Sequence, residues 1–238
     1  MSQYIRIPPA EQVRRITKHH RGTRHRPAKH VPVTGRSARY YQAVLYPEAG
    51  MLPQIRRQGG RLLDLGSGCN HLYRRSLLWK LRRRGGRALG LDSDERLDEE
   101  TRKAGGSTQY RRGSLFGTGL PARSFGTILS NNVLYYWIDT QAGLLRAYRE
   151  LVRLLRPGGE VRIFPVFYGN YHMNSPELHR YLHQHFWVRL LTPRRYPAES
   201  PIMLFDGEVQ ATDPAVGQGE RRMMRRLQAQ TLVLRRAS

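Results

Sequence analysis

The chain has 238 residues, a length that supports one large α/β domain with a substantial core. One cysteine, Cys69, excludes a disulfide framework and a cysteine-based zinc site, and no apolar run approaches the ~18 residues of a membrane span. The formal net charge of +23, built from 37 Arg and 4 Lys within the 41 basic residues, either selects polyanionic partners or records an arginine-rich composition spread over the whole chain.

Residues 1–35 read as a basic arm. Met1 to Ala10 lacks the apolar stretch of a signal peptide, so a soluble, cytoplasmic protein is expected. Glu11 to His20 has the makings of a short helix, but Thr17 to His30 is mostly Arg, Lys and His with Pro27, and is expected to stay flexible unless a partner orders it. His19, His20, His25 and His30 lie in surrounding positive charge that opposes a metal cation, so no metal is expected. Contact with nucleic-acid phosphates is the arm's functional reading. Residues 36–238 form the main domain. Ser37 to Tyr46 reads as a helix stopped by Pro47, with Tyr40, Tyr41, Val44 and Leu45 near one face, and residues 51–60 lead into the first strand.

The stretch Arg61 to Asn70, Arg-Leu-Leu-Asp-Leu-Gly-Ser-Gly-Cys-Asn, organises the rest of the chain. Leu62 to Leu65 reads as a buried strand. Gly66-Ser67-Gly68 is a tight turn where backbone approaches a ligand, and a helix is expected over His71 to Arg84 with Leu72, Leu77, Leu78 and Leu81 near helical spacing. A dinucleotide fingerprint needs a small residue where His71 stands. Asp64, two residues before the first glycine, would repel a pyrophosphate but suits an ammonium group. Asp-Leu-Gly-Ser-Gly resembles the first motif of the class I S-adenosylmethionine (SAM) methyltransferases. The resemblance implies a Rossmann-like three-layer sandwich with a mostly parallel seven-stranded sheet, and a SAM-binding core at about 61–166. It implies Asp64 facing the methionine ammonium, usually through water, with the backbone of Leu65, Gly66, Ser67 and Gly68 against the cofactor. Asn70 replaces the family's third glycine. The preceding helix lids the cofactor in many members, which implies a contact from Tyr40 or Tyr41 to the SAM carboxylate or substrate. Tyr40 is taken as the cofactor contact, and ordinary packing is the alternative for both.

Arg87 to Asp92 reads as the second strand, ending on a carboxylate placed to accept from both ribose hydroxyls. Asp92, followed by Ser93, is assigned that role with Asp94 as the fallback. Glu95 to Ala104 continues as a polar helix. Thr108 to Arg112 is the expected third strand, followed by Gly113-Ser114-Leu115. Relatives carry Gly-Asp here, with the Asp accepting from the adenine amino group, so the resemblance puts Ser114 and Leu115 at the adenine. Leu120 to Asn132 resembles the Leu-Pro, Ser-Phe-Asp, fourth-strand segment of the small-molecule branch, with Gly126 in place of the Asp. Phe125 to Leu129 is the strand, and Ser130-Asn131-Asn132 sits at its carboxyl end, which puts Asn131 at the cofactor. This tripeptide does not match the Asp/Asn-Pro-Pro-Tyr of amino methyltransferases acting on DNA bases. Tyr135, Tyr136 and Trp137 come next, either as a substrate-binding rim with cation–π reach to a sulfonium or as core.

Gln141 to Leu155 is an amphipathic helix with Leu144, Leu145, Tyr148, Leu151, Val152 and Leu155 on one face, and Arg156-Pro157-Gly158-Gly159 stops it before the fifth strand, Glu160 to Val166. That segment is also common in the family. Tyr168, Tyr171 and His172 lie in an aromatic loop at a usual place for substrate contacts. Ser175-Pro176-Glu177 opens a helix to about His185, whose His179, His183 and His185 read as surface residues. Phe186 to Leu191 is a sixth strand. The seventh is Ile202 to Phe205 or Thr231 to Leu234. Asp206 to Gly219 reads as a flexible loop, and Glu220 to Leu227 as a short basic helix. The implied activity is methyl transfer from SAM by in-line displacement, most simply to a small-molecule acceptor. The alternatives are an RNA- or protein-modifying methyltransferase using the basic surface, and a non-catalytic nucleic-acid-binding protein on this scaffold. A general base is needed only if the nucleophile arrives protonated; His172, Tyr168 and Asp139 are its candidates.

Overall fold

A computed structural model describes residues 33–48, 50–107, 109–138, 140–166, 175–199, 202–205, 208–211 and 214–237. The basic arm up to residue 32 lies outside them, as do the His19–His30 cluster, Asp139, and the loop carrying Tyr168, Tyr171 and His172.

Apolar runs flanked by glycine make the central strands. β2 (Arg61–Leu65), β3 (Ala88–Asp92), β4 (Tyr110–Arg112), β5 (Phe125–Asn131) and β6 (Leu155–Val166) lie parallel, and β10 (Gln230–Arg236) enters antiparallel between β6 and β7 (Phe186–Leu191). The seven-stranded order is β4-β3-β2-β5-β6-β10-β7. The sheet is therefore the mostly parallel, Rossmann-like one expected, and Gln230–Arg236 is its seventh strand. The rival segment, β8 (Ile202–Phe205), pairs instead with β1 (Val33–Gly35) and β9 (Glu208–Ala211) in a separate three-stranded sheet. The last three residues assigned to the arm are thus a strand.

Strand alternation divides the core between the two faces of the sheet. On one side, Leu63 and Leu65 join Leu144, Tyr148 and Leu151 of α6 (Gln141–Leu154) and Leu178 and Leu182 of α7 (Pro176–His185). On the other, Leu62 packs with Tyr41, Val44 and Leu45 of α1 (Ala38–Leu45), Met51 and Ile55 of α2 (Met51–Gln58) and Leu77, Leu78 and Leu81 of α3 (Leu77–Arg82). Ser37, Ser76, Thr140 and Ser175 cap α1, α3, α6 and α7 by accepting from a backbone N–H three residues on.

Three expectations are corrected. His71 to Arg84 is not one helix: a 3-10 turn over Gly68–His71 is followed by α3, because Ser76 supplies a new N-cap to Trp79 N at 3.2 Å. Arg156-Pro157-Gly158-Gly159 stops α6 but forms a bulge within β6, since Phe125 pairs with Leu155 and Thr127 with Glu160. The segment Asp206 to Gly219 is not a loop throughout: it holds β9 and the start of α8 (Pro214–Arg226). The glycine replacing an acid at position 126 has a local cause, because a Cβ there would lie 1.8 Å from the Gly59 carbonyl oxygen.

Candidate functional site

The carboxyl ends of β2, β3, β4 and β5 surround a cavity of about 500 Å³, the place where parallel α/β sheets bind ligands. The turn after β2 forms its floor. Gly66 and Gly68 adopt positive φ, 65° and 51°, and a Cβ on Gly66 would sit 2.1 Å from Val133 Cγ2, so the backbone must be bare there. β3 delivers Asp92, whose Oδ2 accepts from Gly68 N at 2.8 Å and whose Oδ1 accepts from Asp94 N at 3.1 Å. Burial raises the Asp92 carboxyl pKa above its usual range, while those N–H bonds pull it back. Ser93, Gly113, Ser114, Leu115 and Phe116 continue the wall, and Asn131, Asn132, Val133 and Ile138 close it from the β5 side. Asn132 is left-handed, with φ 58°, at the point where its N–H donates to Phe164 O; short polar side chains tolerate that strain, and it collects at ligand sites.

Asp64 lies behind the cavity. Alternation along β2 turns it, with Leu62, toward α1, and it is fully buried. Tyr41 Oη donates to Oδ1 at 2.9 Å and Asn70 Nδ2 donates to Oδ2 at 2.9 Å. Tyr41 and Asn70 line the cavity, so the acid meets it through them. Burial pushes the Asp64 carboxyl up to about 7, against the pull of its two donors and with a further push from Asp92. Asn70 is more than a substitute for glycine: its Oδ1 accepts from Arg36 N at 2.8 Å, tying the β1–α1 junction to Asp64.

Most sequence-expected cofactor residues converge here: Leu65, Gly66, Ser67, Gly68, Asp92, Ser93, Ser114, Leu115 and Asn131 all line the cavity. Tyr40 does not. Its hydroxyl donates to Glu220 Oε1 at 3.3 Å on the far side of α1, while its neighbour Tyr41 reaches the cavity. Tyr135 is not a rim residue either. It packs against the core, with 2.6 Å between its hydroxyl and that of Tyr148, and burial raises the pKa of both phenols. The side chains of Tyr136 and Trp137 lie outside the described residues. Sequence reasoning missed Arg36, Asn132, Phe116 and Ile138. Nothing distinguishes Arg36 among 37 arginines, whereas the left-handed Asn132 had a signal in the Asn-Asn pair ending a strand.

The chemistry of the lining fits an amino-acid-bearing nucleoside. Arg36 Nε and Nη1, Ser67 Oγ, Asn131 Oδ1 and Asn132 Oδ1 are buried polar atoms without a hydrogen-bond partner among the described residues. A guanidinium suits a carboxylate, and amide oxygens suit an ammonium.

Residues 63–163 match the family model described as "Methyltransferase domain". Among solved structures, a chain of the complex between the Haloferax volcanii Trm112 methyltransferase activator and a methyltransferase is 15% identical, with a TM-score of 0.50 over 84% of this chain and 91% of that one. A SAM-dependent methyltransferase from Mesorhizobium loti is 19% identical, with a TM-score of 0.44 over 79% and 98%. The CurJ carbon methyltransferase is 16% identical with a TM-score of 0.45; it covers 76% of this chain, which spans about half, 49%, of that one. Comparison with curated proteins gives no match. Residues 63–163 therefore form a methyltransferase domain on the Rossmann-like fold, for which SAM is the cofactor, with its cavity at the carboxyl ends of the strands.

Proposed function

We propose that this methyltransferase binds SAM in the 500 Å³ cavity and methylates a small-molecule acceptor admitted beside Asn131–Val133. The reading is carried by one observation: four lining residues, Arg36, Ser67, Asn131 and Asn132, carry buried polar atoms without a hydrogen-bond partner among the described residues, around a turn whose Gly66 has no room for a Cβ. In this reading Arg36 pairs with the methionine carboxylate, and Asn131 and Asn132 accept from its ammonium. Asp64 reinforces that ammonium through Tyr41 and Asn70. Asp92 exchanges its bond to Gly68 N for the ribose hydroxyls, and Ser114, Leu115 and Phe116 bracket the adenine.

When bound, the cofactor supplies a methyl group made electrophilic by its sulfonium. The chain's own work is positioning and exclusion of water. The glycine turn and Val133 fix the depth of the ligand, and buried Ile138 and Leu134 keep the β5 side dry. Proton removal is assigned to no described side chain; Asp139, Tyr168 and His172 remain its proposed candidates.

Titration with S-adenosylhomocysteine by calorimetry tests the site. Micromolar binding that Arg36→Ala weakens at least tenfold supports the reading, and absence of heat with folded protein overturns it. Tritiated SAM incubated with a cell extract then sorts the acceptor. Label in solvent-extractable fractions supports a small molecule, and nuclease- or protease-sensitive label in the acid precipitate replaces it.

A further inference from the structure

α1 has a second side. Two adjoining depressions of about 640 and 650 Å³ run along it and share Arg39, Ala43, Lys80 and Arg195, so they form one continuous groove. None of its residues lines the cofactor cavity. Four elements send cations into it: Arg39 from α1, Arg75 and Lys80 from the turn before α3 and from α3 itself, Arg194 and Arg195 from the segment after β7, and Arg221 and Arg225 from α8. The lining holds one carboxylate, Glu199, and Ser37 on the same wall holds it: Glu199 accepts from Ser37 N at 2.9 Å and Ser37 Oγ at 2.5 Å. Among the described residues none of the seven cations forms an ion pair, whereas Arg36, Arg96 and Arg153 each have one and Arg162 has two.

Seven like charges converging around a single carboxylate repel one another, and a polyanion relieves that repulsion. The groove is concave, which suits a chain of phosphates and not a flat lipid surface. Half-exposed Tyr73 and Tyr196 stand on its walls, and Tyr196 is held rigid by donating to Ala229 O at 2.7 Å. Cations tracking a backbone, interleaved with aromatic faces, are the recognition pattern for single-stranded nucleic acid. We infer that this groove binds single-stranded nucleic acid without base readout, as a site separate from the methyl-transfer cavity. It does not depend on which acceptor the cavity takes.

The test is fluorescence anisotropy of the full chain with a fluorescein-labelled oligouridine of about 16 nucleotides. Some five phosphate contacts on a single strand would lower affinity about a hundredfold between about 50 and 200 mM salt. Arg195→Glu/Arg221→Glu/Arg225→Glu is expected to weaken binding more than tenfold, and the milder triple change to Gln about severalfold. The charge-matched control Arg57→Glu/Arg82→Glu/Arg102→Glu, on exposed arginines outside the groove, is expected to change it less than threefold. Tyr73→Ala should weaken binding without altering the salt slope. Equal losses in groove and control variants, or no loss in the Gln variant, would overturn the proposal and leave general charge or the arm as the binder. Equal affinity for a duplex of the same length would remove the single-strand assignment, and preferential binding to phosphatidylserine vesicles would replace it with a membrane. The same groove variants titrated with S-adenosylhomocysteine should match the parent, so failure of this site and failure of the cofactor reading register separately.

Discussion

The two sides of α1 handle charge in opposite ways. On the cavity side, ionisable groups have local partners: Asp64 holds Tyr41 and Asn70, Asp92 holds two backbone N–H groups, and Asp94 is paired with Arg96 at 2.5 Å. What remains unpartnered among the described residues is a few buried polar atoms of lining residues, at Arg36, Ser67, Asn131 and Asn132. On the groove side, seven cations surround one carboxylate, Glu199, and among the described residues none of them pairs with an acid. The contrast separates two kinds of recognition. A small zwitterionic ligand is fixed by few, pre-aimed hydrogen bonds in low dielectric, whereas a polymer is held by summed Coulomb attraction that needs no fixed geometry.

The largest expected effect breaks the contrast on the cavity side. Gly66→Ala puts a methyl against Val133 and strains a positive φ, so S-adenosylhomocysteine affinity should fall about a hundredfold or more by calorimetry while oligouridine affinity stays unchanged. Salt sharpens the contrast next: raising it from about 50 to 200 mM should cost the groove about a hundredfold and the cavity less than about threefold. Acidity does the reverse. Asp64 titrates at about 7, so its carboxylate is mostly neutral at pH 6 and mostly ionised at pH 8. Cofactor affinity should rise about tenfold across that interval, and Asp64→Asn should abolish the rise. The sign for stability is opposite. A carboxyl whose pKa is raised by folding binds more protons folded than unfolded, so its contribution falls as pH rises from about 4 to about 7. Melting temperatures should therefore show Asp64→Asn gaining on the parent over that window. The smallest effect lies beside the cavity: Tyr135→Phe loses the bond to Tyr148, costing about 1 kcal/mol in denaturant unfolding with turnover unchanged.

The parts of the molecule legible in the sequence are those where local pattern and tertiary position agree. β2 with its glycine turn, β3 ending on Asp92, β5 and the apolar stripe of α6 each bury the residues their periodicity marks. Illegible features depend on contacts distant in the chain. Choosing Tyr41 over Tyr40 required the crossing of α1 over Asp64, and withdrawing Tyr135 from the rim required Tyr148 beneath it. β8 and β9 form a sheet only because residues 33–35 supply its third strand. Arg36 gains its place from Asn70 and Glu220, 34 and 184 residues away.

Arg36 also joins the two sides of α1. Arg36 lines the cavity, and its Nη2 meets Glu220 Oε2 at 2.9 Å, on the same helix as Arg221 and Arg225 of the groove. Thermodynamic reciprocity then sets a strict condition: whatever factor the nucleic acid imposes on cofactor affinity, the cofactor imposes on nucleic-acid affinity. A double-mutant cycle across Arg36 and Glu220, read on both cofactor and oligouridine affinity, measures the coupling between the cavity and the proposed groove site.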